Sequence, residues 1–106
     1  MPRDRELEQL IVDDLGPLPD LIDKPMFGGL AWMLDGHLLC AASANGMLVR
    51  LGKGNDSWAL EHPDISQARN MGGWISAGRG ASDDDAMRRK LLDAAVTFVG
   101  TLPAKR

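Results

Sequence analysis

The side chains best suited to acid–base or nucleophilic chemistry are few and scattered along the chain. The two histidines, His37 and His62, lack the His-x-x-x-His or His–Asp pattern that a metal site or a general base requires. The single cysteine, Cys40, falls in an apolar stretch, whereas a nucleophilic thiol needs exposure and an activating base. We therefore expect a packed thiol at Cys40, no catalytic residue and no cofactor, and we interpret the protein as a non-enzyme.

Short glycine-rich and charged motifs also have structural explanations. The pair Gly28-Gly29 lacks the G-x-G-x-x-G pattern and a following helix, so we interpret it as a bend that feeds a strand. The segment Gly52-Lys53-Gly54 fails as a Walker A loop, because Gly54 stands where a serine or threonine must hold magnesium. Aspartates at 83–85 suit the start of a helix, and the basic residues 88–90 suit a solvated helix face.

Composition and charge limit the classes of partner. With 106 residues, of which 44% are hydrophobic and 25% charged, the chain is expected to form one globular domain over residues 1–106. A net charge of −3 and a pI near 5.2 argue against direct nucleic-acid binding, which usually requires a basic domain. The N-terminus is charged, and no apolar run approaches the roughly 18–20 residues that span a membrane. We therefore predict a cytoplasmic protein without membrane association.

The segments that would position any site predict an α+β domain. Residues 4–15 have the apolar spacing of a helix, with Asp4 as the N-cap and Gly16-Pro17 as the stop. Residues 20–25 are predicted as a short strand or a turn. Three strands are predicted within 26–52, a short helix over 56–62, one or two strands within 66–77, and a long helix from Ser82. This order predicts a two-layer domain, with an antiparallel sheet packed against N- and C-terminal helices.

The three central strands are joined by the turn sequences Asp35-Gly36 and Asn45-Gly46, which are strong hairpin signals. Two-residue turns place Leu34 opposite His37 and Trp32 opposite Leu39, and they sort the side chains onto two faces. The face predicted to be buried is wholly apolar: Ala31, Met33, Leu38, Cys40, Ala42, Met47, Val49 and Leu51. The opposite face is mixed and is predicted to be accessible: Leu30, Trp32, Leu34, His37, Leu39, Ala41, Ser43, Leu48 and Arg50.

The mixed face supplies the predicted interaction surface, which consists of Trp32, Leu34, Leu39, Leu48 and Arg50. Tryptophan and arginine are enriched among the residues that dominate binding energy, so Trp32 near Arg50 is the predicted anchor. Packing beneath the 52–62 loop is the structural alternative for Trp32. Trp74 is expected to lie in the core.

A longer pattern begins at Met26-Phe27-Gly28-Gly29 and continues through the turn at Gly36 to residues 48–52, with His62-Pro63 and the strand at 73–75 further on. In this pattern the chain resembles the TfoX (Sxy) N-terminal domain family over most of its length. The resemblance implies an α+β domain with a secretion-chaperone-like architecture. It also implies a regulatory role, because larger family members act in natural competence as co-activators with a cyclic-AMP receptor protein. It implies no catalytic residue.

Two classes of function follow for this sequence. The first is a regulatory or adaptor module that binds a protein partner, which the family resemblance places in the transcription machinery, and forms a homodimer through the mixed face. The alternative is a small-molecule binding domain with its site near Arg50, Lys53 and Trp58. Direct DNA binding and an enzyme whose site residues lie on separate loops are weaker alternatives.

Overall fold

Helices at both ends of the chain flank a run of strands. The structure is a computed structural model that describes residues 3–26, 28–68 and 71–103. The elements in chain order are α1 (Arg5–Leu15), β1 (Leu21–Met26), β2 (Gly29–Leu34), β3 (His37–Ser43), β4 (Gly46–Arg50), α2 (Ser57–Leu60), β5 (Ile65–Gln67), β6 (Trp74–Ala77), α3 (Arg79–Asp83) and α4 (Asp85–Val99).

The strands form one antiparallel sheet in the order β1-β2-β3-β4-β6-β5. Segment 20–25, which the sequence left between strand and turn, forms the edge strand β1, and the later strands are the short β5 and β6. Buried side chains of α1, α3 and α4 join the same hydrophobic core as one face of the sheet. The predicted α+β architecture, an antiparallel sheet packed against N- and C-terminal helices, is confirmed.

The turn between β2 and β3 adopts the predicted hairpin geometry. Asp35 and Gly36 both have positive φ, of 53° and 83°, as a type I′ turn requires. The second hairpin differs, because Ser43 pairs with Gly46 and the residues between them, 44–45, make the turn. This moves the β3–β4 register by an even number of residues, so the faces of β4 remain as predicted.

A β-bulge on β3 breaks the predicted face assignment. Leu34 pairs with His37 as predicted, but Trp32 pairs with Cys40, which leaves Leu39 as an extra residue on β3. Because a bulge places two residues opposite one, the alternation of side chains changes phase at this point. The face predicted to be buried is therefore divided between the two sides of the sheet. Ala31, Met33 and Leu38 lie on the side away from the helices. Cys40, Met47 and Val49 lie in the core.

Trp32 lies in the core beneath the helices and is only 2% exposed. It packs within a cluster to which α1, the sheet and α4 all contribute. The members of this cluster that are least exposed include Leu7, Ile11, Leu39, Cys40, Val49, Leu51, Ile75, Leu91, Leu92 and Val99. The prediction that Trp32 lies on an accessible face is wrong, and so is the prediction that Trp74 is a core residue, because Trp74 is half-buried on the other side of the sheet.

The C-terminal helical region is divided into two helices. The sequence predicted one helix that starts at Ser82, but Ser82 lies inside α3 and its hydroxyl donates to the carbonyl of Ala77. Asp84 caps α4 instead, and its carboxylate accepts a hydrogen bond from the Met87 amide at 3.1 Å. Asp64 accepts a hydrogen bond from the amide of Ala81 and so ties α3 to the start of β5.

Arg88 is buried, although the sequence predicted a solvated helix face. Its guanidinium donates to Asp14 at 2.6 Å, to the Ser82 carbonyl at 3.1 Å and to Asp85 at 2.7 Å. Burial opposes the charge, but the hydrogen bonds to the two carboxylates outweigh it and raise the pKa of Arg88 above its ordinary value. The network joins α1 to α4 at the base of the core. The neighbouring Arg89, which is exposed, bonds the same Asp14.

Candidate interaction surface and ligand groove

The side of the sheet turned away from the helices is an open surface, called here the open sheet face. Its outward positions follow from strand pairing and alternation. They are Ile22, Lys24, Ala31, Met33, Leu38, Ala41, Ser43, Leu48, Arg50, Trp74 and Ser76.

Apolar side chains form a band across three strands of the open sheet face. Ile22 pairs with Met33, and Met33 pairs with Leu38. Ile22 is 58% exposed, and the other two side chains are half-buried. Adjacent apolar side chains that remain partly accessible to solvent are a candidate interaction site.

A second row of the open sheet face, called here the trough, passes over the buried alanines Ala31 and Ala41. Lys24, Ala31, Ala41 and Leu48 are neighbours in adjacent strands, and Ser76 continues the row on β6. Where the trough meets the β3–β4 hairpin there is a cavity of about 130 Å³, and its lining includes Ala41, Leu48 and Ser76. The Leu48 side chain is larger than those of Ala41 and Ser76 beside it. The cavity next to Leu48 therefore has room for an apolar side chain from a partner.

The charged side chains at the outward strand positions described for this face are both basic. Lys24 is exposed on the edge strand, and Arg50 lies at the end of β4 beside Trp74. The Arg50 guanidinium lies 5.6 Å from the ring centroids of both Trp74 and Phe98, within the range of a cation–π contact. The two rings therefore hold Arg50 in a defined position at the border of the open sheet face.

The structure separates the five residues of the predicted interaction surface. Trp32, Leu34 and Leu39 are buried beneath the helices, whereas Leu48 and Arg50 lie on the open sheet face. The physical reason is the bulge at Leu39, which no turn signal in the sequence marks. The accessible face also contains Ile22, Met33 and Trp74, which the sequence pattern did not predict there.

A groove separates the loop after β4 from the outer side of α4 and is called here the Trp58 groove. It has a volume of about 570 Å³ and is lined by Leu51, Asn55, Trp58, Asp93, Ala94, Thr97, Phe98 and Thr101. Of the residues predicted for the alternative ligand site, Trp58 lines this groove. Arg50 does not line the groove but contacts Phe98, which does. Lys53 does not line the groove either and is exposed beside Gly72.

The groups with potential reactivity have structural roles. Burial raises the pKa of the Cys40 thiol far above its ordinary value and so disfavours the nucleophilic thiolate. The His37 ring donates through Nε2 to the Pro103 carbonyl at 2.6 Å, and His62 Nδ1 accepts from the Asp64 amide at 3.0 Å. Within residues 3–26, 28–68 and 71–103, no group of three or more His, Cys, Asp or Glu side chains is placed to hold a metal ion.

The glycines of the Met26-Phe27-Gly28-Gly29 motif have a clear structural role. Gly28 has φ of 74° at the turn between β1 and β2. At Gly29 a Cβ would overlap the backbone carbonyl of Ala42 on β3, so this position requires glycine. Phe27 lies outside the described residues.

Comparison of the chain with protein-family models, with characterised proteins and with solved structures finds no match. The resemblance to the TfoX N-terminal domain family therefore stays a prediction. None of the helices in the described parts of the chain is long and apolar enough to cross a membrane.

Proposed function

We propose that this protein is a non-enzymatic regulatory or adaptor module whose open sheet face binds a protein partner. The observation that carries the proposal is the apolar band of Ile22, Met33 and Leu38, which lies on the side of the sheet opposite the helices and beside the alanine trough. Apolar surface that stays in contact with water is costly, and covering it is a main driving force for association.

The chemistry of the face favours an apolar partner segment that carries carboxylates. The cavity beside Ala41, with Leu48 as its wall, accommodates a branched apolar side chain. Lys24 and the ring-held Arg50 then attract acidic groups at the two sides of the trough. Complementary charge of this kind sets orientation and association rate, while the apolar contacts supply most of the affinity.

Three more specific predictions extend this proposal, and they concern the identity of the partner, the cellular compartment and the oligomeric state. By resemblance to the TfoX family, the partner is a component of the transcription machinery. The cytoplasm is the compartment predicted from the charged N-terminus and the absence of a long apolar run in the sequence. Homodimerisation through the open sheet face is a further prediction, because one self-complementary patch readily gives a two-fold dimer. The two basic side chains of the face would meet like charges in such a dimer, which favours an acidic partner over a second copy.

A matched pair of surface variants tests the proposal. Ile22→Glu places a charge in the apolar band, and Val12→Glu places the same charge on α1, where the side chain is 43% exposed. Affinity capture of each tagged variant from the host lysate should lose a specific partner with Ile22→Glu and retain it with Val12→Glu. Sedimentation velocity of the purified proteins reports whether a dimer is lost in the same way. Equal behaviour of the two variants in both measurements would refute the role of this face.

A further inference from the structure

The Trp58 groove has the dimensions and the lining of a small-molecule site. Its volume of about 570 Å³ lies inside the roughly 300–1,000 Å³ that such sites occupy. Phe98 from α4, Trp58 from α2 and Leu51 from the preceding loop supply its apolar side chains. Open grooves with aromatic walls and a few polar groups are the usual form of ligand sites.

The polar side chains of the groove lie mainly along one stripe of α4. Asp93, Thr97 and Thr101 are spaced four residues apart, so they follow one another along the same side of the helix and its C-terminal turn. The Thr101 hydroxyl donates to the Phe98 carbonyl at 2.6 Å. Among the described lining residues Asp93 is the one with a charge, and no ion pair joins its carboxylate to another residue in the described parts of the chain.

An ammonium group already lies against the aromatic wall of the groove. The Nζ atom of Lys90 is 4.6 Å from the centroid of the Trp58 ring, which is a favourable cation–π distance. Lys90 is exposed and precedes Asp93 by three residues, so the same turn of α4 presents a cation on the indole and an exposed carboxylate. An exposed lysine on a flexible stem leaves the indole easily when a ligand ring competes for that surface.

We propose that the Trp58 groove binds an aromatic primary amine. The aromatic ring packs against Trp58 and Phe98, and the ammonium group binds the Asp93 carboxylate. Lys90 acts as an internal competitor, because its own ammonium occupies the indole in the free protein. The groove lies on the α4 side of the sheet, and its one contact with the open sheet face is that of Phe98 with Arg50 at the border.

The test is a titration of the full chain with three matched probes, followed by ¹H–¹⁵N NMR with the tryptophan indole signals resolved. The probes are 2-phenylethylamine, 2-phenylethanol and 3-phenylpropionate, which share a ring and differ in charge. We expect saturable shifts at the Trp58 indole and at residues 93–101 with the amine, and weaker binding of the other two probes.

Variants assign the contacts. Asp93→Asn should raise the dissociation constant for the amine about fivefold, the size of an exposed ion pair. Lys90→Met should lower it about threefold by removing the competing cation. Glu6→Gln, an exposed carboxylate on α1, is the matched control and should change nothing. Far-ultraviolet circular dichroism confirms that each variant is folded.

Three results would each overturn the proposal. The first is the absence of saturable shifts with the amine at millimolar concentration. The second is binding of the carboxylate probe as tightly as the amine, which would assign the groove to anions through Lys90. The third is weaker amine binding in Lys90→Met, because Lys90 would then be a contact and not a competitor. A failure of any kind leaves the surface variants at Ile22 and Val12 as a separate test.

Discussion

The two neighbouring arginines of α4 predict very different stability effects. The Arg88 side chain is 1% exposed and bonds three acceptors, whereas the Arg89 side chain is 62% exposed and makes a single ion pair of 3.2 Å with Asp14. We therefore expect Arg88→Met to reduce the free energy of unfolding by about 3–5 kcal/mol, since it leaves the buried Asp14 carboxylate with its weaker partner. Arg89→Met should cost less than about 1 kcal/mol, the usual value of an exposed pair.

The assay is urea unfolding followed by intrinsic tryptophan fluorescence, to which the buried Trp32 contributes. With a slope of about 1–3 kcal/mol per molar urea, a loss of 3 kcal/mol moves the midpoint by about 1–3 M. The free energy of unfolding of a natural domain is about 5–15 kcal/mol, so the unfolding of Arg88→Met should remain measurable at low urea or with a stabilising osmolyte. The double variant Asp14→Leu/Arg88→Met should cost less than the sum of the single changes, because it removes both charges together. Equal costs for Arg88→Met and Arg89→Met would refute the burial argument.

Three further predictions concern the core, the sheet and the first helix. Trp32→Ala should cost about 3–5 kcal/mol by denaturant titration, and Trp74→Ala clearly less, because only Trp32 is enclosed in the core. Gly29→Ala should lower the melting temperature by pushing β2 away from the facing carbonyl oxygen on β3, as measured by calorimetry. The Arg3 guanidinium lowers the pKa of Glu8, and the amide of Leu7 lowers that of Asp4. Both carboxylates therefore stabilise the fold above their unfolded pKa values of about 4, and this contribution is lost as the pH falls through the lower folded values. Glu8→Gln should therefore reduce the change in the free energy of unfolding that is measured between pH 2 and pH 6.

The elements that the sequence predicted correctly are those whose signals are local. Helix α1 begins after the Asp4 cap, whose carboxylate accepts from the Leu7 amide at 3.0 Å, and it ends at Gly16, which has positive φ. The turn at 35–36 has the geometry that its Asp-Gly sequence favours. Caps and type I′ turns act within a few residues, so the sequence alone carries their information.

The faces of the sheet could not be predicted, because they depend on one non-local feature. The bulge at Leu39 is selected by packing of the whole sheet against α1 and α4, and no residue type in β3 marks it. A single extra residue changes which side of β2 is buried. Hydrophobicity did not indicate which side of β2 is buried, since Trp32 and Met33 are both apolar and either could have filled the core.

The local sequence pattern did not predict the buried ion pairs of Arg88 either. The aspartates at 83–85 and the basic residues at 88–90 predicted a helix start followed by a solvated helix face. In the structure Arg88 instead reaches Asp14, which is 74 positions earlier in the chain, and keeps only the Asp85 contact within α4. Contacts between distant segments appear only after the helices have packed together. The Trp58 groove depends on such packing too, because α4 supplies half of its lining and earlier segments supply Leu51, Asn55 and Trp58.

Site-specific photo-cross-linking in host cells tests most directly whether the open sheet face binds a partner. A benzophenone amino acid would replace Ile22, which is 58% exposed on that face, or Val12, which is 43% exposed on α1. We predict a discrete covalent adduct of the protein with a second polypeptide from position 22 and none from position 12. An adduct only from position 12, or none from position 22 under conditions where capture succeeds, would contradict binding through the open sheet face.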